Sequence, residues 1–175
     1  RGEYVTGVDL AEQLVRIAEA AGVPELLMEA RYVKGAGHFW MGDLLPAMSD
    51  LEYVFDVYDP VAHALHASIY GEDPCVTAHG HHLWARAILG FPEQAIVEAE
   101  QAMAAALALG HPWTIDYLFV CITHTHSLLR DVEATLSWSQ RMHDSATEHG
   151  FPSWMAASSV FHGWARAGCG EVDEG

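Results

Sequence analysis

Basic side chains are scarce in this chain: 8 Lys plus Arg stand against 24 Asp plus Glu in 175 residues, a formal charge of −16. An interface that follows a phosphate backbone needs clustered cations, so no direct nucleic-acid partner is expected. Cysteine is nearly as rare. Cys75, Cys121 and Cys169 include no closely spaced pair, and an odd, sparse set suits a reducing compartment, the cytoplasm, better than a disulfide scaffold. No run of 18 apolar residues could span a bilayer, and no basic start with an apolar core and small-residue cleavage pattern marks a leader. No membrane partner is expected. A GxxxxGK[ST] phosphate loop is also missing.

What is present suits a folded chain. Hydrophobic residues make up 51% and charged residues 18%, and the 15 glycines and 7 prolines recur at turns. The length allows one core or a short row of stacked units. The first residue is not Met, and the end falls just after Cys169-Gly170-Glu171, where another helix would start. The chain therefore reads as a single helical-repeat segment, 1–175, excised from a longer array.

Four turn signals divide it. Gly22-Val23-Pro24, Glu72-Asp73-Pro74, Gly110-His111-Pro112 and Gly150-Phe151-Pro152 each place proline where a first helical turn tolerates its missing N–H. At one constant offset after each proline comes an acid suited to the positive end of a second helix: Asp43, Glu93, Asp131 and Glu171. The prolines recur with a period of roughly 40 residues, and the first unit carries an insertion of about a dozen more.

Counted from those prolines, the small residues Gly35, Ala85, Thr123, Gly163 and Gly37, Ala87, Thr125, Ala165 recur where helices could approach closely. Val33, Leu83, Cys121 and Phe161 form a column of apolar packing volume. The expected fold is an all-α right-handed solenoid rather than a closed bundle. Its helices are expected near 8–21, 24–38, 43–57, 74–89, 93–109, 112–129, 131–149 and 152–167, with a short helix or ordered loop within 63–72. The helix at 8–21 would close a preceding unit. Hairpins would follow at 24–73, carrying the inserted loop, at 74–111 and at 112–151, with a truncated fourth at 152–175.

The segments YGEDPCVTAHGHHLWARAILGFPEQAI, ALALGHPWTIDYLF and ATEHGFPSWMAASSVFHGWARAG resemble the tetratricopeptide-like arrays of large bacterial signalling proteins. In that family the array follows a class III adenylate or guanylate cyclase or another effector domain and a P-loop ATPase. The resemblance covers roughly residues 8 to 171 and implies a tetratricopeptide-like helical-repeat solenoid. It transmits no catalytic site, because no cyclase segment with paired metal-binding aspartates is present; any such activity would reside elsewhere in the parent. His79, His81 and His82, and the polar stretch Thr123 to His126, depart from the family pattern.

Positions three and four apart on the first helices share a surface. Read from the prolines, that strip contains Tyr32, His79, His82, Arg86, Tyr117, His124 and Trp164, the candidate ligand- or partner-binding patch. Arg86 could grip a carboxylate, and Tyr117 and Trp164 could supply rigid apolar area. A zinc site built on His79, His82 and His124 lacks a fourth ligand. Glu98, Glu100, Asp131 and Glu133 read as solvated helix residues with no paired carboxylate, and Cys121, one helical turn before His124, falls in the packing column. No catalytic residue, metal or cofactor is expected. Two functions remain: a regulatory scaffold that binds protein or neighbouring domains of its parent, or a sensor for a small anionic or aromatic ligand.

Overall fold

The computed structural model describes residues 3–171, and all regular secondary structure among them is helical. The elements are α1 (Tyr4–Ala21), α2 (Pro24–Met41), α3 (Leu44–Val57), α4 (His66–Tyr70), α5 (Pro74–Ile88), α6 (Pro92–Leu109), α7 (Pro112–Leu128), α8 (Val132–His149) and α9 (Pro152–Gly168). Five of these helices begin on proline, whose fixed φ fits the first turn and whose missing N–H would have had no helical partner. The expected boundaries stand within a few residues: α1 starts at Tyr4 rather than at 8, and the inserted segment contains the short α4. A second helix for the fourth hairpin would fall on 172–175, outside the described residues.

The chain leaves α2, α5, α7 and α9 through one turn geometry. A residue in the left-handed region follows each helix: Gly42 at φ 87°, Gly90 at 90°, Arg130 at 58° and Gly170 at 93°. Its N–H donates to the carbonyl three positions back, and the next N–H donates to the carbonyl five back, as in Arg130 to Ser127 (3.1 Å) and Asp131 to His126 (3.0 Å). These bonds satisfy carbonyls that the helix leaves open. Gly90, Arg130 and Gly170 follow one another at equal intervals, and Gly42 precedes Gly90 by a longer step that takes in the inserted segment.

This geometry corrects the register read from the prolines. The distance from the opening proline to the left-handed residue is the same in α2, α7 and α9 but two positions shorter in α5, from Pro74 to Gly90. Asp43 and Asp131 are accordingly the N-caps of α3 and α8, and Glu171 follows Gly170 in the same way. Glu93 instead sits inside the first turn of α6, whose N-cap is Phe91. Counted from the closing turn, α5 is displaced by two positions from the alignment on proline.

Consecutive helices pack in pairs (α1 on α2, α2 on α3, α5 on α6, α7 on α8, α8 on α9), while α2, α5, α7 and α9 also touch in series. The larger core gathers Leu83, Trp84, Leu118, Ile122 and Met142 with the alanine stripe of α6; a smaller one holds Met28, Leu51, Val54 and Ala78. Small residues set the spacing. A Cβ on Gly35 would meet Leu51 at 2.9 Å, and one on Gly80 would lie 2.7 Å from Cys121 Sγ. Val33 does not supply the expected packing volume, since it is 46% exposed.

The inserted segment is held by polar contacts. Tyr58 Oη donates to Asp73 Oδ2 (2.7 Å), Asp73 Oδ1 accepts from the N–H groups of Cys75 and Val76 to cap α5, and Tyr32 Oη donates to Glu72 (2.8 Å). On α4, His66 Nδ1 lies 2.7 Å from Glu29 Oε1. Among the described residues no helix is long and apolar enough to cross a membrane.

Candidate functional site

Glu98 enters the structure on the buried stripe of α6, between Ala95, Ala99 and Ala102. It is 5% exposed, so the solvated reading of this residue is wrong. An isolated carboxylate there would be strongly disfavoured, and α5 answers with three donors on one face. His79 Nδ1 lies 2.7 Å from Oε1, His82 Nδ1 2.8 Å from both oxygens, and Arg86 Nη1 3.2 Å from Oε2. Burial pushes the Glu98 carboxyl up, but the hydrogen bonds from His79 and His82 and their charge outweigh it and bring it down to about 2. Glu98 is thus an ionised acceptor, and both imidazoles turn an N–H toward it.

Beside this group a cleft of about 440 Å³ opens between α3, α5 and α6. Glu52 and Phe55 of α3 form one wall, and Glu93, Gln94, Val97 and Gln101 of α6 the other, with His79, His82 and Arg86 at the back. The His79 ring stacks on Phe55 at 4.0 Å and 11°, and His82 meets the same ring edgewise. His82 is buried, and its Nε2 has no hydrogen-bond partner; the Glu52 carboxylate stands 3.5 Å away.

The candidate patch therefore divides. His79, His82 and Arg86 come together at the cleft, whereas Tyr117 and His124 lie along the series α2, α5, α7, α9. There the Tyr117 hydroxyl lies 3.2 Å from Nδ1 of buried His81, and Tyr32 meets the His81 ring edgewise at 6.2 Å. His124 rests between Trp84 (5.2 Å) and Phe161 (5.6 Å). Trp164 is exposed on α9, one helical turn beyond Phe161.

The displacement of α5 explains this division. The interval that separates Gly170 from Arg130, and Arg130 from Gly90, leads back from Trp164 to His124 and from His124 to Trp84, not to Arg86. Trp84 is the residue that shares their face: its indole N–H donates to the Cys121 carbonyl at 2.8 Å, and its ring touches His124. From there the aromatic contacts continue through Trp40 on α2 (6.2 Å) to Tyr4 on α1 (6.3 Å). A strip Tyr4, Trp40, Trp84, His124, Phe161 thus crosses five helices. Trp40 and Tyr4 are about half exposed, and Trp84 is buried.

Sequence reasoning missed Glu98, Glu52, Phe55, Trp40 and Trp84. A signal for Glu98 existed in its spacing of one helical turn from Ala95 and Ala102, which places it on the apolar face of its helix. Asp50 gives a second. Arg31, Lys34 and Asp50 stand at the same distances from the closing turn at Gly42 as His79, His82 and Glu98 do from the closing turn at Gly90. Asp50 is likewise buried, 2.7 Å from Arg31 Nη1 and 3.3 Å from Lys34 Nζ. Counted in the same way from the closing turn at Arg130, the corresponding position is Trp138, packed against Phe119 and stacked with His126, so α7 and α8 meet there through rings.

The remaining candidates carry little chemistry. Burial raises the Cys121 thiol and lowers His124, so the two are poorly matched for nucleophile activation. Burial also raises the thiol of Cys75, to about 12. No group of three or more His, Cys, Asp or Glu among the described residues is arranged to hold a metal ion. Neither a family model nor a curated protein matches the chain.

Proposed function

We propose that this chain is part of a tetratricopeptide-like helical array that acts as a regulatory protein-interaction scaffold in a bacterial multidomain signalling protein, working in the cytoplasm without catalysis of its own. The array reading is supported by the common closing turn of α2, α5, α7 and α9, by the equal spacing of Gly90, Arg130 and Gly170, and by the matched carboxylates Asp50 and Glu98. Repeats of this kind stack so that equivalent helices build one extended face. On this reading the hairpins run 24–73, 74–111 and 112–151, with α1 ending a preceding unit and α9 opening a further one.

The observation that carries the function is the aromatic strip from Tyr4 through Trp40, Trp84 and His124 to Phe161, continued by exposed Trp164. Tryptophan and tyrosine held by neighbouring rings offer large contact area at small entropic cost, the property of residues that dominate protein interfaces. The strip follows the helix series rather than a closed pocket, which suits an extended partner or an adjoining domain of the parent. Affinity capture from the source cell, with the native chain and a Trp40→Ser/Trp164→Ser variant, tests this. Both positions are exposed, so the variant should keep its helical circular dichroism while losing a stoichiometric protein partner. Equal recovery by both chains would remove the strip as the interface.

A further inference from the structure

The cleft between α3, α5 and α6 is separate from the aromatic strip, and its chemistry points to a different kind of ligand. Three carboxylates face it, those of Glu52, Glu93 and Glu98, against one permanent cation, Arg86, whose Nη1 is already committed to Glu98. An anion would meet unfavourable charge here, so the anionic ligand expected from Arg86 alone does not suit the site.

The unpartnered nitrogen of His82 sharpens this. Nδ1 of His82 faces the ionised Glu98, so Nε2 is the ring nitrogen left on the side of the cleft and of Glu52. It is buried, has no hydrogen-bond partner, and stands 3.5 Å from the Glu52 carboxylate oxygen Oε1. When the ring carries only its Nδ1 proton, Nε2 and Glu52 are two acceptors with no donor between them, an arrangement that one N–H-bearing cation satisfies on both sides.

The same molecule shows the chemistry in covalent form. At the equivalent positions of the preceding unit, a guanidinium (Arg31) and an alkylammonium (Lys34) stand where α5 has His79 and His82, and both serve the buried Asp50. In α5 the long cationic side chains are replaced by shorter rings, and an open cleft lies beside them. About 440 Å³ is within the range of small-ligand sites, and Phe55 and Val97 offer apolar wall to a short methylene chain.

We infer that this cleft binds a small organic cation carrying N–H donors, an aliphatic amine or guanidine, between Glu52 and Nε2 of His82. The inference goes beyond the scaffold reading and uses none of the strip residues.

Titration calorimetry of the whole chain with agmatine tests it, with tetramethylammonium as a cation that has charge but no N–H. The expected result is saturable binding at one site, undisturbed by excess tetramethylammonium. Val97→Trp, at an exposed position lining the cleft, should abolish it, and Glu52→Gln, on a side chain 54% exposed, should weaken it about tenfold. The Trp40→Ser/Trp164→Ser variant should bind agmatine as the native chain does, so loss of the scaffold interface and loss of this site are read separately. Unsaturable heats, displacement by tetramethylammonium, or undiminished binding by folded Val97→Trp would each overturn the inference in favour of diffuse attraction to an acidic surface.

Discussion

Asp50 and Glu98 occupy corresponding places on α3 and α6, and each is a buried carboxylate held by cations or imidazoles of the preceding long helix, α2 or α5. The solution differs in kind. Asp50 takes two permanent cations, while Glu98 takes two imidazoles and one arginine. A buried carboxylate with three donors costs little once it is paired, but removing its charge leaves those donors without an anion.

Glu98→Gln is therefore expected to destabilise the fold by about 3 kcal/mol at pH 7, the scale of a broken buried ion pair. Urea unfolding followed by circular dichroism measures it. A loss no larger than that of an exposed control such as Glu100→Gln would show that the cluster contributes nothing net.

The pH dependence has a defined sign. Although burial alone would raise it, hydrogen bonds from His79 and His82 hold the folded Glu98 carboxyl at about 2, below its ordinary 4.5. The unfolded chain binds the proton more readily, so this stabilisation is complete above about pH 4.5 and is lost as the pH falls toward 2. The stability gap between the native chain and Glu98→Gln should narrow through that window. Glu29 runs the other way. Burial raises it, His66 only partly offsets this, and Asp73 and Glu72 add to the rise. Its contribution is present at low pH and is lost as the pH rises through the raised value, so the native chain should lose ground to Glu29→Gln on going from acid to neutral pH.

Arg130 holds the left-handed conformation, φ 58°, that glycine holds after α2, α5 and α9. An L side chain there crowds the following carbonyl, at a cost of about 1 kcal/mol. Arg130→Gly should raise stability by about that amount in thermal unfolding, and the reciprocal Gly90→Arg should lower it. An unchanged midpoint for both would mean that the turn does not limit stability.

The ends of the helices were legible because they are written in local chemistry: proline at the first turn, glycine or an acid at the boundary. The helical class followed from the same marks. What failed was the register within α5. Its opening proline is two positions closer to its closing turn than in α2, α7 and α9, so a reading anchored on proline joined His79, His82 and Arg86 to a face that belongs to Trp84. Nothing local at Pro74 announces the shorter helix; Gly90 does. Glu98 was missed for another reason. Charge alone suggested solvent, whereas its place among Ala95, Ala99 and Ala102 required burial, and only the tertiary approach of α5 supplies its donors.

Gly80 and Gly37 are both helical glycines against which a neighbour is tightly packed, yet they should answer differently to alanine. Alanine gains about 1 kcal/mol of helix propensity at either site. At Gly80 the new Cβ would sit 2.7 Å from Cys121 Sγ and 2.8 Å from Tyr117 Cε1, both on α7, which α5, α6, α8 and α9 hold in place. Overpacking of that kind costs about 1–3 kcal/mol, so Gly80→Ala should be destabilising on balance. At Gly37 the Cβ would meet one methyl of Val8, at 2.8 Å, on α1, which rests chiefly on α2 and can shift outward. Gly37→Ala should therefore be close to neutral or stabilising. Paired urea titrations decide it: if Gly80→Ala is as stable as Gly37→Ala, the α5–α7 approach is looser than these distances require.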